Sequence, residues 1–205
     1  MPVPKFIFVR HGEAKHNVAF HEVGEAAFSD PANKDAPLTE QGMAQARATG
    51  AALHDLKILD IWSSPLTRCI QTAEEIFEEN NVQELWLHDS LLERLGGGHI
   101  CNDRLSTHEL KKEHPMWKRE FLPELPPLWI DRENHTSLQR RMLSFILLLA
   151  HMYSDVSPDS HVVIVSHADA LGALTHRPFK NAEHVILTLE EILATDSAKP
   201  LAEPL

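Results

Sequence analysis

Residues 6–17 read FIFVRHGEAKHN. Four of the five residues before Arg10 are apolar, and Ile7, Phe8 and Val9 run unbroken. An apolar run of this kind is the pattern of a strand buried on both faces, as in a parallel sheet covered by helices. A cation is an odd end for such a strand, so Arg10 and His11 point to a site at its carboxyl edge. Two more buried strands lie downstream, Ile58–Trp62 and His161–Val165. Each also ends in polar residues: Ser63-Ser64-Pro65 after one, Ser166-His167-Ala168 after the other.

Working outward, the first strand spans Val3–Val9, and Glu13–Ala19 can open a helix. Residues 20–37 carry no period and hold Gly24, Pro31 and Pro37. Thr39 is a natural cap for a helix running to about His54, with Met43, Ala46, Gly50 and Leu53 at helical spacing. Ser64-Pro65 has the serine-then-proline signature of another helix start, and Leu66, Ile70, Ala73 and Phe77 share one face of it. Leu85–Leu87 is a short strand, Ser137–Met152 a strong amphipathic helix, Ala168–Thr175 a helix and Val185–Leu189 a last strand. Strands alternating with helices predict an α/β fold, a three-layer αβα sandwich with a mostly parallel central sheet. One domain covers 1–205. Within it, 92–132 reads as a lid or excursion, rich in Gly and Pro and anchored by Trp117, Phe121 and Trp129. Residues 195–205 read as a frayed tail.

The chain carries 19 basic and 30 acidic residues, for a formal net charge of -11. That balance argues against a nucleic-acid or anionic-membrane partner, which needs clustered Lys and Arg. No apolar stretch is long enough to span a bilayer, and the run inside MPVPKFIFVR is too short for a signal peptide, so a cytoplasmic location is expected. Cys69 and Cys101 are the only cysteines and form no CxxC pair, which fits two free thiols in a reducing compartment. The 14 histidines include no HExxH or paired Cys/His spacing, so no metal site is expected. The acidic run Glu74–Asn80 reads as a solvated helix face.

In sheets of this kind ligands bind beyond the carboxyl ends of the strands. The residues just past the strand ends are Arg10-His11-Gly12, Ser63-Ser64-Pro65 with Arg68, Leu92-Glu93 and Ser166-His167-Ala168. Two arginines, two histidines and one carboxylate therefore converge on one edge. Arg68 falls in the first turn of its helix, where the helix dipole disfavours a cation by about 0.3–1 kcal/mol. A bound anion reverses that sign, because helix end and guanidinium then attract the same charge. Two guanidinium forks suit a tetrahedral phosphoryl group. A neutral His11 supplies a lone pair that can attack phosphorus, and Gly12 would let it approach the ligand closely.

These segments resemble the histidine phosphatase superfamily, the phosphoglycerate mutase-like proteins. RHGEAKHN resembles its RHG signature, SSPLTRCIQTA its second arginine motif, LLERLGG its acid-bearing motif and VSHADAL its second histidine motif. LTEQGMAQA and FKNAEHVILTL also resemble family segments, and HNVA with ERLGGGHICNDR resembles a eukaryotic subgroup of poorly defined substrate. The resemblance implies that His11 accepts the phosphoryl group, that Arg10, Asn17, Arg68 and His167 line the phosphate pocket, and that Glu93 protonates the leaving group and then activates water. It implies no metal and no other cofactor. Two departures stand out. Ala168 takes a position where many members have glycine, and Asp169 brings an acid to an anion site, unless it turns away by capping its helix.

The activity so implied is a metal-independent phosphatase acting on a phosphorylated small molecule, or on a phosphoprotein, through phosphohistidine. The alternatives are a phosphoglycerate-mutase-type phosphotransferase, a phosphohistidine-protein phosphatase, and an inactive phospho-ligand binding module, the last disfavoured because a binder has no use for Glu93. His99, Cys101 and Arg104 in the 92–132 segment are candidates to touch the substrate beyond its phosphate. Cys69, next to Arg68, faces the apolar side of its helix and reads as a core thiol. The sequence does not indicate an oligomeric state.

Overall fold

A computed structural model describes residues 2–125 and 131–197 of the chain. Its centre is a five-stranded sheet in the order β3-β2-β4-β1-β5. The strands are β1 (Lys5–Arg10), β2 (Lys57–Ser63), β3 (Glu84–Leu87), β4 (Ser160–Ser166) and β5 (His184–Leu187). β1, β2, β3 and β4 are parallel, and β5 runs antiparallel to β1 on the far edge. The three-layer sandwich expected from the sequence is the observed architecture.

The apolar runs face both ways, as a doubly covered sheet requires. Phe6 and Phe8 of β1, with Val162 and Ile164 of β4, pack on one side. There they meet α5 (His135–Met152) and α6 (Ala168–Thr175) through Leu138, Met142, Phe145, Leu171 and Leu174. Ile7 and Val9, with Val163 and Val165, pack on the other side. They meet α3 (Thr67–Glu78) through Cys69, Ile70, Ala73 and Ile76, with Leu53 from the end of α2 (Glu40–Ala52) beside them. Each fully buried Ile or Leu contributes roughly 1.5–3 kcal/mol, so these two faces dominate the stability of the sheet.

Helix starts depart from expectation in an instructive way. Thr39 does cap α2, its Oγ1 accepting from the Gly42 N–H at 3.0 Å. α3, however, begins at Thr67 and not at Ser64-Pro65. Its cap is borrowed from a distant residue: the Asp35 carboxylate accepts from both the Thr67 N–H and the Thr67 hydroxyl, each at 2.8 Å. Ser64 Oγ is drawn to His167 Nε2 at 2.8 Å and accepts only a long 3.5 Å bond from the Leu66 N–H, one residue ahead of the helix. The later start moves Arg68 to the second helical position, closer still to the positive helix end. The region 20–37 contains the end of α1 (Lys15–Val23) and two 3₁₀ stretches, Gly24–Ser29 and Pro31–Asn33. Towards the other end, α7 (Leu189–Ser197) comes after β5 and carries regular structure past Thr195.

The segment 92–132 divides in two. Residues 96–104 lie over the carboxyl edge of the sheet, whereas Leu110 of α4 (Thr107–Glu113) and Trp117 are core residues against the α3 face. Lys118 bonds to the open edge of β3, accepting from the Leu87 N–H at 3.0 Å and donating to the Leu85 carbonyl at 2.8 Å. That contact blunts an edge strand. Phe121 packs on Trp62 and Trp86, and Trp129 lies outside the described residues. The acidic run on α3 is not a fully solvated face. Glu74 accepts from Trp117 Nε1 at 2.9 Å, and the buried Glu75 is paired with Arg47 at 2.7 Å.

Candidate active site

The register of the sheet decides which residues meet. Arg10 pairs with Ser166 at the ends of β1 and β4, so His11 and His167 emerge side by side. Their rings lie 5.2 Å apart at 63°. Because β4 sits between β1 and β2, the residues after β2 complete the same edge. The result is a cavity of about 270 Å³ whose inner end is lined by Arg10, His11, His16, Asn17, Arg68 and Glu93, with Ala168 and Asp169 alongside.

His11 is held from several directions and is 2% exposed. Its N–H donates to the Ser166 carbonyl at 3.0 Å, and its carbonyl accepts from the Ala182 N–H at 3.1 Å and from Asn181 Nδ2 at 3.2 Å. Its Nδ1 lies 2.7 Å from the Gly12 carbonyl oxygen. A carbonyl only accepts, so Nδ1 carries the proton and Nε2 keeps the lone pair. Burial, then the nearby Arg68, His16 and Arg10, hold the ring well below its usual pKa, so it stays neutral.

Gly12 serves packing rather than ligand approach. A Cβ there would run into the Gly42 carbonyl oxygen, and one on Gly42 would run into the Glu13 carbonyl. The two glycines let α2 sit directly on the loop that presents His11. The Gly12 N–H donates to Thr72 Oγ1 at 3.0 Å, tying the loop to α3 as well.

The two arginines are anchored by part of their donors and keep the rest. Arg10 donates from Nη1 to the Phe179 carbonyl at 2.7 Å. Arg68, 1% exposed, donates to the Cys101 carbonyl at 2.8 Å and to Asn102 Oδ1 at 2.9 Å, and its Nη2 lies 3.2 Å from His167 Nδ1. The buried Nε of each arginine has no partner among the described residues. His16 repeats this pattern. Asn17 Nδ2 donates to His16 Nε2 at 3.1 Å, which leaves the buried His16 Nδ1–H without a partner among the described residues. Unpaired buried donors cost about 1–3 kcal/mol each. Three of these donors belong to residues that line this one cavity.

Glu93 is bound to the start of α6. Its carboxylate accepts from the N–H groups of Asp169 at 3.1 Å and Ala170 at 3.0 Å, and from its neighbour Arg94 at 2.9 Å. The capping suggested for Asp169 thus belongs to Glu93, while Asp169 pairs with Arg94 at 3.0 Å. Burial, reinforced by the Asp169 charge, raises the Glu93 pKa despite those donated hydrogen bonds. A carboxyl group so placed can hold a proton nearer neutrality than an exposed glutamate does.

His167 and Arg104 are not where the sequence reading puts them. His167 is fully buried behind His11, between Arg68 and Ser64, and burial followed by Arg68 keeps it neutral. It touches the anion site through Arg68 and His11 rather than as part of the cavity wall. Arg104, 3% exposed, is spent elsewhere: it grips Asp89 at 2.7 and 3.1 Å and donates to the carbonyls of Leu105, Pro123 and Leu125. It is a buried strut of the 92–132 segment and does not line the cavity. Cys69 is fully buried, with Sγ 3.4 Å from His167 Nε2, and burial pushes its thiol pKa up. Neither cysteine is in a disulfide. Among the described residues, no group of three or more His, Cys, Asp or Glu side chains could hold a metal ion, and no helix is long and apolar enough to cross a membrane.

The profile of the histidine phosphatase superfamily (branch 1) matches residues 6–184. The chain belongs to that superfamily. A probable phosphatase of Schizosaccharomyces pombe is 26% identical over 201 residues, which are 90% of this chain and 64% of that protein. A probable phosphoglycerate mutase of Cronobacter sakazakii is 30% identical over 167 residues, 81% of this chain and 70% of its own length. The chain thus spans just under two thirds of the first relative. Among solved structures, a mycobacterial glucosyl-3-phosphoglycerate phosphatase bound to VO3 superposes with a TM-score of 0.60 at 21% identity, covering 90% of each chain. It shares the fold. Superfamily relatives are named phosphatases or phosphoglycerate mutases, which makes this an enzyme family.

Several residues that shape this superfamily cavity escape the sequence reading. Its outer part is lined by Phe20, Glu25, Phe28, Arg94 and Arg132, beside His99 and Cys101, two candidates that the sequence does single out. His16 and Phe20 are four apart on α1 and so share a face, a signal present in the sequence. Phe28 has no such signal, because a 3₁₀ stretch brings it back against Phe20.

Proposed function

We propose that the protein is a metal-independent phosphatase that hydrolyses small phosphomonoesters through a phosphohistidine on His11. The observation that carries this reading is the Nδ1–H of His11 fixed on the Gly12 carbonyl. It leaves Nε2 as a neutral nucleophile beside two arginines with unused donors.

Arg10 and Arg68 grip the phosphoryl oxygens and oppose their charge. Nε2 attacks phosphorus, an N–P bond forms, and the P–O bond to the leaving group breaks. The departing alkoxide takes the proton of Glu93. A water then attacks phosphorus, Glu93 takes its proton back, the N–P bond breaks and inorganic phosphate leaves. One carboxyl group serves as acid and then as base, as the raised Glu93 pKa favours.

The test is phosphate release from a generic phosphomonoester with and without a chelator. Release unaffected by chelation, together with an acid-labile, base-stable phosphoprotein in a rapid quench, is expected. Activity lost on chelation and restored by zinc or magnesium overturns the metal-independent reading.

A further inference from the structure

We infer that the outer wall of the cavity takes an aromatic body, making the substrate an aryl-bearing phosphomonoester; this rests on the phosphatase reading for turnover but not for binding. The wall is built from ring faces. Phe20 and Phe28 stack with centroids 5.1 Å apart at 9°. His99 approaches Phe28 at 5.2 Å from the glycine-rich loop opposite, and His16 approaches it at 6.3 Å from the floor. Phe20 remains 40% exposed, an apolar surface left open beside an anion site.

Charge in this outer part is mixed, with Arg94 paired and Arg132 without a hydrogen-bond or ion-pair partner among the described residues. Glu25 and Arg132 act on His99 with opposite sign, and burial keeps His99 neutral. Arg94 is held by Asp169 and by the Glu133 carbonyl at 3.0 Å. A second phosphate or a carboxylate on the substrate would meet the Glu25 carboxylate as well as Arg132, whereas a ring meets only aromatic faces. A flat ring finds aromatic faces on which to stack. The cavity, at about 270 Å³, lies below the roughly 300–1,000 Å³ of drug-sized pockets. It therefore suits a single ring-sized group rather than a nucleotide or a sugar chain.

The probes are 2-phenylethylphosphonate and propylphosphonate, which cannot be hydrolysed, bound to the wild-type protein and measured by calorimetry. The aromatic probe should bind about 10-fold tighter, the size of an aromatic pair plus the area it buries. In Phe28→Leu, which keeps apolar volume and loses the ring, the ratio should fall to about 2–3. Phe20→Leu should act in the same direction. A parallel assay measures turnover of 2-phenylethyl and propyl phosphate, whose leaving groups are alike. An aromatic preference in binding without turnover upholds this inference and overturns the phosphatase reading. Turnover of both esters with a binding ratio near 1, or a ratio unmoved by both variants, overturns the inference and leaves the phosphatase reading standing.

Discussion

The two ends of the cavity are built differently. The inner end stands on strand ends. Arg10 and His11 close β1, His167 comes directly after β4, and Arg68 opens a helix packed on the same strands, with nearly every backbone group bonded. The outer end stands on short pieces: the last turns of α1, a 3₁₀ stretch, and the Gly96–Gly98 turn with three positive φ angles. A sheet edge fixes side chains through many cooperative bonds, and a turn fixes them through few. Chemistry that tolerates no displacement belongs on the first. Selection among substrates, which can drift without losing the reaction, belongs on the second.

Substitutions at the inner end should therefore act through the chemistry of the phosphoryl group and its leaving group, not through the shape of the substrate body. The largest effect is expected for His11→Ala, which removes the nucleophile and should bring phosphate release to background for alkyl and aryl esters equally. Residual turnover with one ester class would show that the nucleophile is shared and break the division. Next is Glu93→Gln, which leaves His11 and both arginines in place but can neither give nor take a proton. The expected loss is about 10²–10⁴-fold on alkyl phosphates. An activated aryl phosphate needs little protonation, so it should still give a burst of phenol and then slow turnover. Wild-type-like rates on alkyl phosphates would remove Glu93 from the mechanism.

A milder test is pH. Burial and Asp169 raise the Glu93 pKa, so its acid form persists toward neutrality and disappears as pH climbs past that raised value. The ratio of alkyl to aryl turnover should then fall by up to about tenfold per pH unit above it. His11, held neutral by burial, should add no acid limb near its ordinary pKa. A ratio flat with pH would contradict the proton role of Glu93. The smallest effect on selectivity is expected for Arg104→Met. Losing one partner of a buried pair leaves Asp89 uncompensated, at a cost of about 3–5 kcal/mol. Melting temperature should drop, with the ratio between substrates unchanged. A shifted ratio at full stability would extend the specificity region inward to Arg104.

Legibility in the sequence divides along the same line. Arg10, His11 and Arg68 stand out because a charge at the end of a buried run, or at a positive helix end, conflicts with its local surroundings. The outer wall raises no such conflict. Residues 20–37 show no period, and Phe28 meets Phe20 only after the chain turns through 3₁₀ geometry. Arg104 looks available in the sequence because its partner Asp89 lies 15 residues back, with carbonyls supplied by a segment that has no pattern of its own. Gly12 reads as a ligand contact because Gly42, whose carbonyl stands in the way of a Cβ, lies far along the chain in a different helix. Local conflicts are readable in sequence; partnerships made by the fold are not.

The central position of β4 has a consequence for synthesis. β1 pairs only with β4 and β5, both of which come late in the chain. A ribosome that has released everything up to α5 holds β1 as an apolar strand with both edges open and nothing to bond. β2 and β3 can pair, but the strand that joins them to β1 does not yet exist. Sheet closure must await β4, and long-range parallel pairing is slow. The nascent chain keeps FIFV without a strand partner throughout that wait, an exposed apolar segment of the kind that favours aggregation until it is paired.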